Sequence, residues 1–305
     1  MTLYNDYSTW IRQRFPYRVQ KITIDAGLSC PNRDGRIGWG GCVYCNNLAF
    51  HPSYCKAGSS IKEQLEAGKT FFGRKYSSMK YLAYYQSYSN TYGELSKLRR
   101  LYEDALAVDD VVGIIVGTRP DCITEQLLDY FAELSKHTFV MVEYGIESTN
   151  DNTLYNIRRG HTFDCARRAV ELMAERGVLT GGHIILGLPG ESRESMLQQA
   201  GIISELPLDV LKIHHLQVIK DTLLAKQYEH SAFHVLELDE YIKLLAEYIS
   251  RLRPSLVLER FVSQSPSDML IAPRWGIKPD AFTQQLVTYM KEKGIRQGDK
   301  YVEER

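Results

Sequence analysis

Residues 30–45 read CPNRDGRIGWGGCVYC and contain three of the six cysteines of this 305-residue chain. Eleven residues separate Cys30 from Cys42, and two residues separate Cys42 from Cys45. One loop of this kind brings three thiolates to a single metal centre. The four glycines of the stretch let the backbone fold tightly around an inorganic group and point N–H groups at it. The stretch therefore predicts a metal-binding loop.

The number of cysteines in this loop restricts the kind of metal centre. A structural zinc site is closed by four protein ligands, whereas an iron–sulfur cubane on three thiolates keeps one iron free for a small molecule. Tyr44, between the last two cysteines, is placed to cover one face of such a cluster. A zinc loop completed by Cys55 or His51 is the alternative, and the spacing leaves it open.

The composition is that of a globular protein. Hydrophobic residues make up 44% and charged residues 24% of the chain, and no apolar run approaches the ~18 residues that span a bilayer. Because no apolar segment of signal-peptide type is present, we interpret Cys122 and Cys165 as free thiols in a reducing cytoplasm. Residues 1–80 carry twelve Lys or Arg and five Asp or Glu, although the whole chain is neutral. This basic segment suits a polyanionic partner or a solvated face.

The hydrophobic pattern predicts six alternations of strand and helix. The strands are predicted at 19–25, 81–86, 111–117, 139–145, 183–188 and 210–217. The helices are predicted at 61–71, 93–107, 124–134, 163–175 and 192–205, with helix starts at Thr124 and Ser192. Such alternation implies a parallel sheet with helices outside.

Two architectures fit this alternation. One is a six-stranded doubly wound sheet, and the preferred one is a partial (β/α)6 TIM-like barrel, because each strand ends in a loop rich in reactive side chains. Residues 1–238 are predicted to form this core with the cysteine loop. Residues 239–305 are predicted to be a C-terminal α/β extension packed on it, with a helix at 240–252, a strand at 256–261 and a helix at 280–293.

Four motifs follow the predicted strands and extend the pattern of the cysteine loop. They are Gly117-Thr-Arg-Pro-Asp121, Glu143-Tyr-Gly-Ile-Glu-Ser148, Arg159-Gly-His-Thr162 and His183-Ile-Ile-Leu-Gly-Leu-Pro-Gly-Glu191. With the loop, they resemble the radical S-adenosylmethionine (SAM) superfamily over roughly Arg18 to Leu258. More narrowly, the chain resembles the YhcC/YtqA-type branch, which is similar to the radical domain of the Elongator catalytic subunit. The Gly-Gly-Glu segment that follows the second strand in most of the superfamily is absent, and residues 86–92 take its place.

The resemblance implies a [4Fe-4S] cluster on the three cysteines and SAM as the source of a 5′-deoxyadenosyl radical. The cofactor needs neutral polar groups at its methionyl end, an acceptor for its ammonium or ribose, an arginine for its carboxylate, and a turn and apolar contacts for adenine. The candidates for the methionyl end are Gln86, Ser87 and Asn90. The candidate acceptor for the ammonium or ribose is Glu143, and the arginine for the carboxylate is Arg158 or Arg159. The turn at Gly187 and the apolar residues Leu216 and Val218 are the candidates for adenine.

Strand periodicity suggests further roles. His214 or Lys212 is expected to face the barrel as a catalytic group, whereas His183 is interpreted as a hydrogen-bonded core histidine and Arg119 as an anchor of its loop.

Three functions are compatible with these observations. The first is a radical SAM enzyme that modifies tRNA at a C5 side chain of the wobble uridine, served by an electron donor such as flavodoxin or ferredoxin. The second is a radical SAM enzyme acting on a small metabolite or peptide, and the third is a zinc- or cluster-bearing interaction protein. No membrane partner is expected. An extruded base would stack on tyrosines, for which the candidates are Tyr76, Tyr84, Tyr85, Tyr88 and Tyr92.

Overall fold

The structure is a computed structural model that describes residues 2–50, 52–55, 58–73, 79–230 and 233–303. Its strands are β1 (Val19–Ile24), β2 (Lys80–Tyr85), β3 (Val111–Thr118), β4 (Phe139–Glu147), β5 (Leu179–Leu186), β6 (Val210–His215), β7 (Val218–Ile219), β8 (Val257–Arg260) and β9 (Leu270–Ala272). Its helices are α1 (Tyr7–Arg14), α2 (Ile61–Gly73), α3 (Leu95–Leu106), α4 (Glu125–Ser135), α5 (Asp151–Asn156), α6 (Phe163–Glu175), α7 (Arg193–Glu205), α8 (Leu223–Glu229), α9 (Leu238–Arg251) and α10 (Pro279–Lys293).

Seven strands form one parallel sheet in the order β1-β2-β3-β4-β5-β6-β8. The order never reverses along the sheet, whereas a doubly wound sheet requires a reversal, so that alternative is wrong. The sheet curls into a half-barrel, which confirms the predicted partial TIM-like barrel. β8, which corresponds to the strand predicted at 256–261 in the extension, joins this sheet as its seventh strand. The remaining two strands, β7 and β9, form a small antiparallel pair.

The helices begin where the capping residues predict. Thr124 Oγ1 accepts a hydrogen bond from the N–H of Leu127 at 3.3 Å, and Ser192 Oγ accepts one from the N–H of Ser195 at 3.1 Å. Each cap satisfies one N–H group of a first turn, which has no partner within the helix. No helix in the described ranges is both long and apolar enough to cross a bilayer.

Inward-facing side chains form layers inside the half-barrel, because alternate residues of a strand point to opposite faces. The lowest layer is apolar and packs on Trp10 and Ile11 of α1; it contains Leu82, Ile115, Met141, Val210 and Val257. Two positions further along the strands, the inward residues are polar, and these are Lys21, Tyr84, Glu143, Lys212 and Glu259. The intervening residues of β4, such as Val142 and Tyr144, face the outer helices. The polar layer therefore forms the floor beneath the carboxyl ends of the strands.

The segment after residue 238 shares the core of the half-barrel. β8 pairs with β6 in a register that sets Val257 beside Val210, α9 packs on α7, and α10 packs on α9. On the other side of β8, the N–H of Leu258 donates to the carbonyl oxygen of Asn5 at 2.8 Å. β1 and β8 are the two edges of the sheet, and the half-barrel is open between them.

Candidate active site at the carboxyl ends of the strands

The cysteine loop follows β1 and is held by its own backbone. The N–H of Arg33 donates to the carbonyl oxygen of Cys30 at 2.8 Å, and the N–H of Gly41 donates to that of Asn32 at 2.8 Å. Gly41 has a φ of 88°, a left-handed conformation that glycine adopts without strain. The loop brings its three cysteines, Cys30, Cys42 and Cys45, to the wall of one cavity.

Several N–H groups surround the sulfur atoms. Asn32 Nδ2 lies 3.5 Å and Arg159 Nη1 lies 3.7 Å from Cys42 Sγ, while Arg33 Nη1 lies 3.8 Å from Cys45 Sγ. Donors of this kind stabilise thiolates and tune a bound cluster. Burial, together with the neighbouring Cys42, raises the pKa of Cys45 to about 11, although Arg33 opposes this. The thiol therefore loses its proton when it binds a metal.

The zinc alternative required a fourth ligand near the loop. The Cys55 thiol instead donates to Gln64 Oε1 of α2 at 3.0 Å, and Cys55 is not among the residues that line the cavity. His51 lies outside the described residues. Within the described part of the chain, no three or more His, Cys, Asp or Glu side chains are arranged to hold a single metal ion.

The cavity beside the cysteines has a volume of about 230 Å³, and charged and polar side chains are set in a wall that is mostly apolar. Five of the residues in this wall have a buried side-chain atom that makes no hydrogen bond with any described residue. Three of these atoms belong to charged groups, Arg119 Nη1, Glu143 Oε1 and Arg159 Nε, and the other two are Asn47 Nδ2 and His215 Nδ1. A buried polar atom without a partner is costly, so each one points to a group that the protein binds. Two guanidinium groups suit a carboxylate, and a carboxylate oxygen suits an ammonium or a hydroxyl. This set fits the amino acid and ribose portions of SAM.

Both arginines are fixed by contacts on their other sides. Arg119 makes a bidentate ion pair with Asp121, with distances of 2.9 and 2.8 Å. Arg159 Nη2 donates to the carbonyl oxygen of Gly145 at 2.7 Å and lies 3.4 Å from Glu147 Oε1. Each guanidinium group is thus held in the cavity wall and keeps one nitrogen without a hydrogen-bond partner among the described residues.

Glu143 is the centre of the polar layer. Its Oε2 accepts hydrogen bonds from Lys212 Nζ at 2.6 Å and from the His183 ring at 3.0 Å, and its Oε1 lies 3.6 Å from Lys21 Nζ. Burial alone would raise the pKa of Glu143, but the ammonium groups of Lys212 and Lys21 outweigh it and hold this pKa well below its usual range. The carboxylate is therefore ionised, as a cation-binding wall requires.

The candidate residues divide into two groups by position. Those that line the cavity are Cys30, Cys42, Tyr44, Cys45, Gln86, Glu143, Arg159, His214 and Leu216. Those that do not line it are Ser87, Asn90, Arg158, Gly187, Lys212 and Val218. These assignments remain predictions.

The residues outside the cavity have other environments. Asn90 Nδ2 donates to the carbonyl oxygens of Tyr85 and Gly117, Arg158 is exposed, and Lys212 lies buried beneath Glu143. Of the tyrosines, Tyr84 and Tyr88 line the cavity, Tyr85 points outward and bonds the carbonyl oxygen of Leu101, and Tyr76 lies outside the described residues.

Some wall residues were not predicted from the sequence. The sequence indicates structural roles for Arg119 and His183, yet both line the cavity. Arg260 and Ser263 come from the extension, which was treated as an appendage. β8 ends in two charged residues, Glu259 and Arg260, directly after the buried Val257 and Leu258, which was a signal that the end of this strand meets a polar interior. Its position beside β6 depends on tertiary contacts.

A wide cleft occupies the open side of the half-barrel between β1 and β8. Its volume is about 1190 Å³, and Lys21 Nζ and Glu259 Oε1 meet in its wall at 2.7 Å. The cleft and the cavity share four wall residues, which are Tyr84, Gln86, Arg260 and Ser263. The cleft and the cavity therefore lie next to each other.

Comparison with known families and proteins agrees with this geometry. The model of the Radical SAM superfamily matches residues 33–199, and that of the Radical_SAM C-terminal domain matches residues 208–292. YhcC of Escherichia coli is 34% identical over 96% of this chain and 94% of its own length. YtqA of Bacillus subtilis is 32% identical over 97% of this chain and 92% of its own length.

More distant similarities extend to proteins related to Elongator. The tRNA uridine(34) acetyltransferase of Methanocaldococcus infernus is 25% identical over 61% of this chain, which corresponds to 34% of its own length. The solved structure of Elp3 from the same archaeon superposes with a TM-score of 0.70 at 17% identity, and it covers 92% of this chain and 64% of that chain. At this identity, the superposition shows a shared fold.

Proposed function

The chain belongs to the radical SAM superfamily, and on that basis we propose that it is a radical SAM enzyme that modifies tRNA at a C5 side chain of the wobble uridine. The proposal rests mainly on one observation, which is that the three cysteines of the loop line the same cavity as Arg119, Glu143 and Arg159, three charged residues that each keep a buried atom without a hydrogen bond. When bound there, a [4Fe-4S] cluster and SAM supply a 5′-deoxyadenosyl radical that takes a hydrogen atom from the substrate.

Different residues of the cavity would bind the cluster and the carboxylate of SAM. Cys30, Cys42 and Cys45 would hold the cluster, with N–H donors on two of the sulfurs. Arg119 and Arg159 would bind the carboxylate of the cofactor, because both line the cavity and each has a guanidinium nitrogen without a hydrogen-bond partner. These contacts fix the orientation of the bound groups.

The other walls would bind the rest of SAM and limit the access of water. Glu143 would accept from the ammonium or a ribose hydroxyl, and Ile185 and Leu216 provide apolar surface for the adenine. Tyr44 lines the cavity between the two closely spaced cysteines. A dry, shaped site protects a reactive radical from side reactions.

The choice of tRNA is supported by three features. Relatives with detectable sequence similarity are named tRNA uridine(34) acetyltransferases. The exposed Arg12 and Arg18 lie at the cleft, where they would contact phosphates. Tyr84 and Tyr88 line the cavity next to the cleft and would stack on an extruded base.

The reaction also needs an electron donor, and we propose a small protein such as flavodoxin or ferredoxin. The cysteine loop exposes Trp39 to 78% and Ile37 to 46%, and Tyr155 beside them is 83% exposed. All three border a groove that shares Gly41 with the cavity wall. Exposed aromatic side chains close together mark a docking surface, and this one is backed by the loop that would hold the cluster.

The test uses tRNA from a strain that lacks the gene. The reconstituted, reduced enzyme is incubated with this tRNA and SAM, and the nucleosides are then compared by mass spectrometry. We expect a modified uridine that Cys42→Ala fails to produce and Cys55→Ala still produces. An unchanged nucleoside profile, together with a substrate affinity that does not depend on salt, would instead favour a metabolite or peptide.

A further inference from the structure

Two adjacent histidines in the cavity wall form part of a continuous hydrogen-bond chain. His183 Nδ1 lies 3.3 Å from His214 Nε2, and the ring centroids are 5.2 Å apart. On the far sides, His183 Nε2 lies 3.0 Å from Glu143 Oε2, and His214 Nδ1 lies 2.7 Å from Ser263 Oγ. All four ring nitrogens are therefore engaged in one chain.

The carboxylate at one end sets the direction of every bond. Because the ionised Glu143 only accepts, His183 must carry its proton on Nε2, which leaves Nδ1 as an acceptor. His214 then donates from Nε2, and its Nδ1 accepts the hydroxyl proton of Ser263. Neutral histidines in this chain therefore have a single self-consistent pair of tautomers.

The two ends of the chain lie in different surroundings. Glu143 belongs to the buried polar layer, with Lys212 and Lys21 beside it. Ser263 is a wall residue of both the cavity and the cleft, so a substrate that bound in the cleft and reached the cavity would pass this residue. The chain thus connects the substrate position with the interior.

We propose that the two histidines, with Ser263 at one end and Glu143 at the other, form a proton relay that serves the substrate. This role rests on the proposed function, because it needs a substrate in the cleft. Nothing in the binding of the cluster requires either imidazole.

The proton movement along the relay is balanced. A substrate group gives its proton to Ser263 Oγ while the hydroxyl proton passes to His214 Nδ1, and the Nε2 proton of His214 passes to His183 Nδ1. One proton leaves the substrate, and His183 becomes an imidazolium beside the carboxylate of Glu143, as in hydrolytic triads, where the carboxylate stays ionised.

The environment of His214 favours passage of the proton over its storage. Burial, and after it the neighbouring His183, Arg260 and Lys212, hold the pKa of His214 well below its ordinary value. At neutral pH this ring is uncharged and passes its proton on to His183, the ring that contacts the carboxylate.

The first test reads the tautomers without any substrate. In the cluster-loaded, oxidised enzyme with ¹⁵N-labelled histidine, we expect both rings to be protonated at Nε2 and not at Nδ1. Ser263→Ala should shift the Nδ1 signal of His214, whereas Ser265→Ala, which removes a hydroxyl that donates to Gln217, should not. A proton on Nδ1 of either ring, or equal effects of the two variants, would overturn the relay.

The second test measures product formed per 5′-deoxyadenosine with tRNA as the substrate. General acid–base catalysis contributes roughly 10²–10⁴-fold, so Ser263→Ala should lower this ratio about 100-fold, and added imidazole should partly restore it. Ser265→Ala should leave the ratio unchanged. An unaltered ratio in Ser263→Ala would overturn the relay. If the wild-type enzyme modifies no tRNA, the proposed substrate is wrong. The protonation of the histidine rings still tests the hydrogen-bond chain in that case.

Discussion

Glu143 shows how much a single side chain determines in this site. Its carboxylate contacts Lys212, Lys21 and His183, and one of its oxygens is left without a hydrogen bond at the cavity. The position of Glu143 at the end of a predicted strand indicated a binding role. Its partners come from three other strands, and their proximity could not be read from sequence spacing.

Glu143→Gln should destabilise the protein in a manner that depends on pH. Removing one partner of a buried ion pair costs about 3–5 kcal/mol, because the remaining charge is uncompensated. The pKa of Glu143 is lowered by folding, so its stabilisation is fully present above the unfolded value of 4.5 and disappears as the pH falls through the folded value.

Denaturant unfolding at several pH values checks this prediction. The difference in the free energy of unfolding between the wild type and Glu143→Gln should be largest near pH 7 and should decrease below about pH 4.5. Glu133→Gln is the control, because it removes an exposed ion pair with Lys136 and should leave the unfolding midpoint unchanged. A difference that stays constant with pH would contradict the account of Glu143.

Two cysteine variants distinguish the loop from its surroundings. Cys42→Ala should abolish most of the iron bound after anaerobic reconstitution, because Cys42 Sγ lies in the cavity wall among donors from Asn32 and Arg159. Cys55→Ala should keep the wild-type iron content, because Cys55 contacts Gln64 instead. Iron analysis and visible absorbance measure the bound iron in both variants. An equal loss of iron in the two variants would favour Cys55 as a ligand.

At the level of elements, the strands and the major helices were predictable, whereas the place of β8 in the sheet was not. Apolar runs and the capping residues Thr124 and Ser192 located the six strands and the major helices, because these signals are local. Short elements such as α1, α5 and α8 carry too few residues to show a periodicity. Ser263 reaches the site only because β8 pairs with β6, and pairing between distant segments depends on packing of the whole sheet.

The packing of β4 against β5 can be tested with one glycine. A Cβ added to Gly181 of β5 would lie 2.8 Å from Glu143 Cγ, so Gly181→Ala must displace this side chain. We expect a loss of about 1–3 kcal/mol in the free energy of unfolding. Gly201→Ala on α7 meets no atom within 4 Å and should be neutral or stabilising by up to about 1 kcal/mol. Similar unfolding midpoints for the two variants would contradict this packing.

The cysteine loop gives a second prediction at this scale. Trp39→Ala should slow 5′-deoxyadenosine formation roughly tenfold when reduced flavodoxin is the electron donor, because an exposed aromatic contact is lost. With dithionite, a small reductant, the rate should be unchanged. Equal slowing with both reductants would mean that Trp39 supports the loop and does not dock the donor.

The whole molecule is a half-barrel whose open side lies next to its site. The barrel class followed from the alternation of strands and helices, whereas the cleft between β1 and β8 depends on how far the sheet curls. The first 80 positions carry an excess of basic residues, and two of these residues, Arg12 and Arg18, lie at this cleft. Substrate entry and radical chemistry would thus meet at the residues shared by the cleft and the cavity.

The most direct test of the account is the cleavage of SAM by the reconstituted enzyme. The wild-type protein, loaded with iron and sulfide under anaerobic conditions and reduced with dithionite, is incubated with SAM and tRNA, and 5′-deoxyadenosine is measured by chromatography. We predict that 5′-deoxyadenosine forms with the wild type and with Cys55→Ala but is absent with Cys42→Ala. A fully loaded, reducible wild-type cluster that yields no 5′-deoxyadenosine, with or without tRNA, would contradict the central claim.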